Sequence, residues 1–308
     1  MTFAVVFPGQ GSQFEAMADP WTTHPAGQAV MEEASEAMER DIVAGCHDPD
    51  ALATTEFAQP ALLACGVAAF RVLEAEGLRS ERLAGAAGHS LGEFAALVAA
   101  GTMLLPEALA IVVVRGEAMQ RAGEARPGTM SALIGADTET AETLCDEARE
   151  DGVLLVANQN SPTQVVISGS VEAIERAEAL AKERKIRAIR LNVAGAFHSP
   201  LMEPAVAPIL RMLDDIELRT PAFPIAENVS GTLVDDPAEL KDLLGRHVVS
   251  PVLWERDAQA LAAAGATTFL EAGPGDVLTK MAKRVVPGAT ALAVGTPEAA
   301  AAAVSSAP

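Results

Sequence analysis

Cysteine is scarce in this chain: Cys46, Cys65 and Cys145 are the only three among 308 residues. An odd count with scattered spacing excludes a disulfide framework and fits a reducing compartment. No C-x-x-C pair and no H-E-x-x-H occurs, so the usual metal-site patterns are missing and no bound metal is expected. Positive charge is also short, with 22 Lys and Arg against 42 Asp and Glu, for a formal net charge of −20. Such a chain repels a phosphate backbone, which argues against unspecific nucleic-acid binding. The Leu91–Val114 region is interrupted by Glu93, Gly101, Pro106 and Glu107, and no apolar run is expected to reach membrane-spanning length. No basic leader precedes the first apolar segment, so a cytoplasmic protein is expected. There is no internal repeat and no long polar low-complexity stretch.

Half of the residues are apolar, enough for a large core in one or two domains. Helix and strand patterns alternate, which predicts an α/β fold. Residues 3–7 read as a buried strand that ends at Pro8-Gly9-Gln10-Gly11-Ser12, a turn that neither strand nor helix can continue. Residues 28–40, 60–77, 91–100 and 106–122 read as helices. Beyond Pro127-Gly128 the texture changes: strands at 130–134, 153–157, 164–168 and 186–193, and helices at 138–150 and 171–184, with Asn158–Pro162 turning between two strands. That order is β-α-β-β-α-β, the ferredoxin-like signature. It predicts a small subdomain (127–193) inserted into a larger α/β domain (1–126 and 194–308). Residues 269–272 read as another core strand of the larger domain, and the tail from Pro297 as frayed.

Gly88-His89-Ser90-Leu91-Gly92 is a G-x-S-x-G run followed by an apolar, Ala-rich segment. A serine on a tight strand-to-helix turn exposes its hydroxyl, and the helix just past it directs free N–H groups at developing negative charge. The arrangement suits acyl transfer through a serine ester; the alternative is a glycine-rich loop capping a buried helix. Ser90 needs a base. Of the five histidines, His24 and His47 lie in polar stretches, and His89 should diverge from Ser90 as a packed or hydrogen-bonding support. His198, where a strand ends and a helix is about to begin, is the best candidate. No Asp or Glu between Ser90 and His198 stands out, so a neutral acceptor is the alternative orienting group. Arg115 lies within an apolar helix and needs an anionic partner. From the residues alone that partner is either a ligand or a surface acid, Glu107 or Glu117.

Phe7–Gln13, Gly88–Glu93, Arg115-Gly116 with Met119-Gln120, Asn158–Pro162 with Gln164–Val166, Phe197-His198 and Glu271–Gly275 together resemble the malonyl-CoA:acyl carrier protein transacylase family, which includes acyltransferase domains of polyketide and fatty acid synthases. The motifs run in family order over nearly the whole chain. The resemblance implies an α/β-hydrolase-like large domain, a ferredoxin-like small domain and an active site between them. It assigns Ser90 as nucleophile, His198 as general base, and the backbone N–H groups of Gln10 and Leu91 as an oxyanion hole. Arg115 then matches the arginine that grips the malonyl carboxylate, a task suited to its planar fork. Leu91 and Phe197 match the pair often seen with malonyl, Phe197 filling the space of an α-methyl group. The resemblance also makes Met119 an expected substrate contact. Asn160 and Gln164 either line the cleft or bond the turn backbone. Many stand-alone members carry glutamine where this chain has His247. His247 therefore either orients His198 through its own carbonyl or adds a titratable group.

The resemblance implies a ping-pong transfer of malonyl from malonyl-CoA to the phosphopantetheine thiol of an acyl carrier protein, by a monomer without a cofactor. Carrier proteins are acidic, so docking on this acidic chain needs local positive charge. One cluster is Lys182, Arg184, Lys185, Arg187 and Arg190; another is Lys280, Lys283 and Arg284. Solvated helix faces are the plain alternative for both. The rival readings are an acyl hydrolase on the same scaffold, an acyltransferase for another dicarboxylic unit, and a non-catalytic carrier-protein module.

Overall fold

The computed structural model describes residues 2–305. Strand β1 (Phe3–Phe7) shows why the protein is layered. All five residues are buried, with Phe3, Val5 and Phe7 in one apolar cluster and Ala4 and Val6 in another. Alternate side chains thus enter cores on opposite faces, the environment of a sheet covered by helices on both sides. Its partners are β2 (Leu83–Gly88), β7 (Ile225–Glu227), β8 (Thr232–Val234), β9 (Thr268–Ala272) and β10 (Thr290–Val294). The sheet order is β10-β9-β1-β2-β7-β8. All neighbours are parallel except the β7–β8 pair. The turns after β1 and β2 therefore open side by side at the C-terminal edge, where α/β sheets bind ligands.

A second sheet comes wholly from residues 128–190. It contains β3 (Gly128–Ile134), β4 (Leu154–Ser161), β5 (Gln164–Ser170) and β6 (Arg187–Arg190). Its order is β4-β5-β3-β6, antiparallel throughout. Helices Thr138–Arg149 and Val171–Glu183 give the expected β-α-β-β-α-β sequence. Leu133 and Ile167 pack with Leu144 and Ile174 of these helices. Met130, Ala132 and Val166 point the other way and join the main core. The small sheet is also stitched to the rest of the chain: Gln159 N–H donates to Val252 O at 2.9 Å, and Val252 N–H to Ala157 O at 2.8 Å.

Several expectations need correction. Residues 158–161 do not turn; they continue β4, which bulges twice, and the turn is Pro162-Thr163. Strand β6 ends at Arg190, short of the expected Val193. The tail is no frayed end through residue 305. Pro297–Ser305 is a helix whose Ala300, Ala303 and Val304 are buried, packed on helix Thr55–Ala75; the last three residues lie outside those described. Thr55–Ala75 starts before Pro60, because Thr54 Oγ1 accepts the Phe57 N–H and caps it. This helix is long and apolar enough to cross a membrane, contrary to expectation, but its window is 89% buried inside the protein. The helix expected at 28–40 is Pro25–Ala37, capped by His24. Helices Gly92–Ala99 and Leu105–Ala125 fall where expected.

Candidate active site

The G-x-S-x-G run forms the turn between β2 and helix Gly92–Ala99. Its glycines are required by space. A Cβ on Gly88 would lie 1.8 Å from the Gly92 carbonyl carbon, and one on Gly92 would lie 2.1 Å from Phe7 O. The left-handed backbone belongs instead to Ser90, at φ 51°, a conformation costing a non-glycine residue about 1–3 kcal/mol. Leu91 stands at the helix N-terminus. Among the described residues, neither its N–H nor that of Gln10 has a hydrogen-bond partner. Both free donors belong to the adjoining turns at the C-terminal edge of the sheet.

Ser90 Oγ lies 2.8 Å from His198 Nε2. His198 Nδ1 faces two carbonyl oxygens, His247 O at 3.1 Å and Ser250 O at 3.0 Å. Carbonyls only accept, so Nδ1 carries the proton and Nε2 presents a lone pair to the serine hydroxyl. The orienting group is thus neutral backbone, and His247 serves through its carbonyl. His198 is buried and, like Ser90, has a positive φ, of 57°. Burial first, then the charge of Arg115 and the neighbouring His89, push it down to about 3.

Arg115 is 1% exposed, and its partner is no surface acid. Nη1 donates to Gln59 Oε1 at 2.7 Å and Nη2 to Ser90 Oγ at 2.9 Å, while Nε has no partner. Glu107 and Glu117 pair with Arg219 and Arg121 instead. Gln59 Nε2 in turn donates to Gln10 Oε1 at 3.1 Å, and Gln10 Nε2 to Thr55 Oγ1 at 3.3 Å. Burial lowers Arg115 to about 10, so it stays cationic at neutral pH. It is a desolvated cation with no acid in ion-pair range among the described residues, beside the Ser90 hydroxyl.

These groups open into a cleft of about 470 Å³ between the two sheets, lined also by Met119, Phe197, Asn160 and Gln164. Every expected site residue except His247 lines it; His247 lies behind His198. Asn160 Oδ1 meets His89 Nε2 at 2.8 Å, tying the small sheet to the elbow. His89 does diverge from Ser90, as a support. Gln164 accepts from Arg284 at 3.1 Å. Arg284, Lys280 and Lys283 lie on helix Val277–Val285, whose Val277, Leu278 and Met281 also line the cleft. In the other basic cluster, Arg184 and Arg190 pair with Glu147 and Glu178.

Sequence reasoning missed Gln59, Ser250 and Asn228. Gln59 left a trace, a polar residue among apolar neighbours just before Pro60. Asn228 follows a three-residue strand and left none. It is fully buried with Glu93, Glu227 and Asp257. Burial raises all three acids above the ordinary carboxylate range.

A family model described as the acyl transferase domain matches residues 4–302. A malonyl CoA-acyl carrier protein transacylase of Escherichia coli K12 is 40% identical over 306 residues, 98% of each chain. The crystal structure of an acyl-carrier-protein S-malonyltransferase from Burkholderia pseudomallei superposes with a TM-score of 0.94 at 37% identity, covering 99% of this chain and 100% of that one. A malonyl-transacylase solved in complex with a type II PKS acyl-carrier protein gives 0.94 at 36% identity, with 99% and 100% covered. With the family model running over nearly its whole length and a relative 40% identical end to end, the chain belongs to the acyl transferase domain family, among the malonyl CoA-acyl carrier protein transacylases.

Proposed function

We infer that this protein transfers malonyl from malonyl-CoA to the phosphopantetheine thiol of an acyl carrier protein. The observation that carries the reading is Ser90 Oγ held between His198 Nε2 and Arg115 Nη2 in one cleft: nucleophile, base and a cation for a free carboxylate meet at one atom. As Ser90 Oγ attacks the thioester carbon, its proton passes to His198 Nε2. The oxyanion takes the N–H groups of Gln10 and Leu91. The C–S bond breaks, and the CoA sulfur leaves with the proton from His198. In the second half His198 accepts the proton of the carrier thiol, which attacks the malonyl-serine ester. The proton returns to Ser90 Oγ. No oxidation state changes, so the chemistry calls for no redox cofactor.

Arg115 gives the acyl selectivity. A malonyl carboxylate replaces Ser90 Oγ as its partner and offsets the charge that depresses His198, so a dicarboxylic acyl group strengthens the base while acetyl does not. Phe197 and Met119 wall the acyl pocket. The large unit (1–126 and 194–308) reads as hydrolase-like and residues 127–193 as ferredoxin-like. The enzyme is read as a cytoplasmic monomer meeting free carrier protein at the basic helix Val277–Val285.

Incubation with labelled malonyl-CoA or acetyl-CoA, with and without a holo carrier protein, tests the reading. Malonyl should label Ser90 and move to the carrier. Absence of label sinks the enzyme; label released only to water makes it a hydrolase.

A further inference from the structure

Behind the elbow, Asn228 uses every hydrogen-bonding group it has. Oδ1 accepts the Ser90 N–H at 2.8 Å and faces His247 Nε2 at 3.3 Å. Nδ2 donates to Gly88 O at 2.7 Å and to Asp257 Oδ2 at 3.0 Å. Its backbone N–H donates to Glu93 Oε2 at 3.0 Å, and its carbonyl accepts the Leu253 N–H at 2.8 Å. Ser90 N–H can only donate and Gly88 O can only accept, so the amide has one orientation. His247 Nε2 must then carry a proton to share with Oδ1. Its Nδ1 has no partner.

These bonds form a closed circuit. From Ser90 N–H it runs to Asn228 Oδ1, to His247 Nε2, through His247 to its carbonyl, to His198 Nδ1, across the ring to Nε2, and back to Ser90 Oγ. Two of its members, Ser90 and His198, have strained positive-φ backbones, which persist only where the surroundings over-determine them. Asn228 is the part of the circuit that touches the backbone on both sides of the elbow.

We propose that Asn228 is a positioning residue that holds nucleophile and base in mutual register, working through the Ser90 N–H on one side and the His247 imidazole on the other. It touches no reacting atom. The proposal rests on the Ser90–His198 reading above, and it gives the His247 side chain a task separate from that of its carbonyl.

The test is steady-state malonyl transfer by Asn228→Ala, His247→Leu, His247→Gln and the Asn228→Ala/His247→Leu double variant, each held well below its own melting point. Slackened register lowers kcat with KM for malonyl-CoA little changed, by about 10²-fold for Asn228→Ala, the scale of a small misplacement. Modification of Ser90 by phenylmethylsulfonyl fluoride, which has no carboxylate, should slow by a similar factor. His247→Leu keeps the carbonyl but removes the donor to Oδ1, and should lower kcat. His247→Gln keeps a donor and should exceed His247→Leu. In the double variant the factors should not multiply, because both changes cut one circuit. Asn228→Ala with wild-type kcat, or factors that multiply, would overturn the proposal. If Asn228→Ala does not fold, His247→Leu equal to His247→Gln overturns it. If wild type leaves Ser90 unlabelled, the reading beneath it has failed instead.

Discussion

Arg115 Nη2 donates to Ser90 Oγ at 2.9 Å, so the cation proposed to select the acyl group touches the hydroxyl proposed to carry it. On that reading the contact links acyl selectivity to the reacting atom.

Removing that guanidinium should split two substrates. Loss of one partner of a desolvated charge pair costs about 2–5 kcal/mol, so Arg115→Ala should lower kcat/KM for malonyl-CoA by ~10²-fold or more. Acetyl transfer should fall far less. Parallel assays with labelled malonyl-CoA and acetyl-CoA decide this, and equal losses would refute the carboxylate clamp.

The base should keep working in acid. Protonation disables His198, and with its pKa pushed down to about 3 that happens only far below the usual histidine range. The second-order rate constant for Ser90 acylation by malonyl-CoA, measured by stopped flow, reports the free enzyme and should lack an acid limb near pH 6.5, where an ordinary histidine titrates. Arg115→Ala removes one cause of the depression, so its acid limb should lie higher than the wild-type limb. An acid limb near pH 6.5 in the wild type would refute the buried, neutral base.

Phe197 is 7% exposed and lines the cleft beside His198. Phe197→Ser opens room for an α-methyl group and should raise the methylmalonyl-to-malonyl ratio of kcat/KM by about tenfold, within the 1–3 kcal/mol that one steric contact commands. An unchanged ratio in a direct competition assay would remove Phe197 as the gate.

Ser90, His198 and Arg115 were legible because each stands out locally, in an elbow, in a loop just before a helix and in an apolar helix; Gln10 was legible only through the family resemblance. Most of their partners were not. Asn228 reaches Ser90 across 138 positions and Gln59 reaches Arg115 across 56; no neighbour marks Asn228, and Gln59 leaves only the trace of a polar residue before Pro60. His198 is oriented by backbone carbonyls, which no side-chain pattern records. The β-α-β-β-α-β unit was readable from its periodicities. The end of β4 was not, because Asn158-Gln159-Asn160-Ser161 has the composition of a turn, and only pairing with β5 and the Val252 segment holds it extended. The helix 297–305 owes its order to burial on helix Thr55–Ala75, which composition does not reveal.

The positive φ of Ser90 sets stability against activity at a single position. Glycine adopts that backbone freely, and the Ser90 hydroxyl contributes chiefly to the reacting constellation. Ser90→Gly should therefore be inert yet melt about 1–2 °C higher than the wild type, since strain of about 1 kcal/mol is released. By this measure the fold is more secure without its nucleophile, and selection for acyl transfer holds this chain below the stability its scaffold can reach.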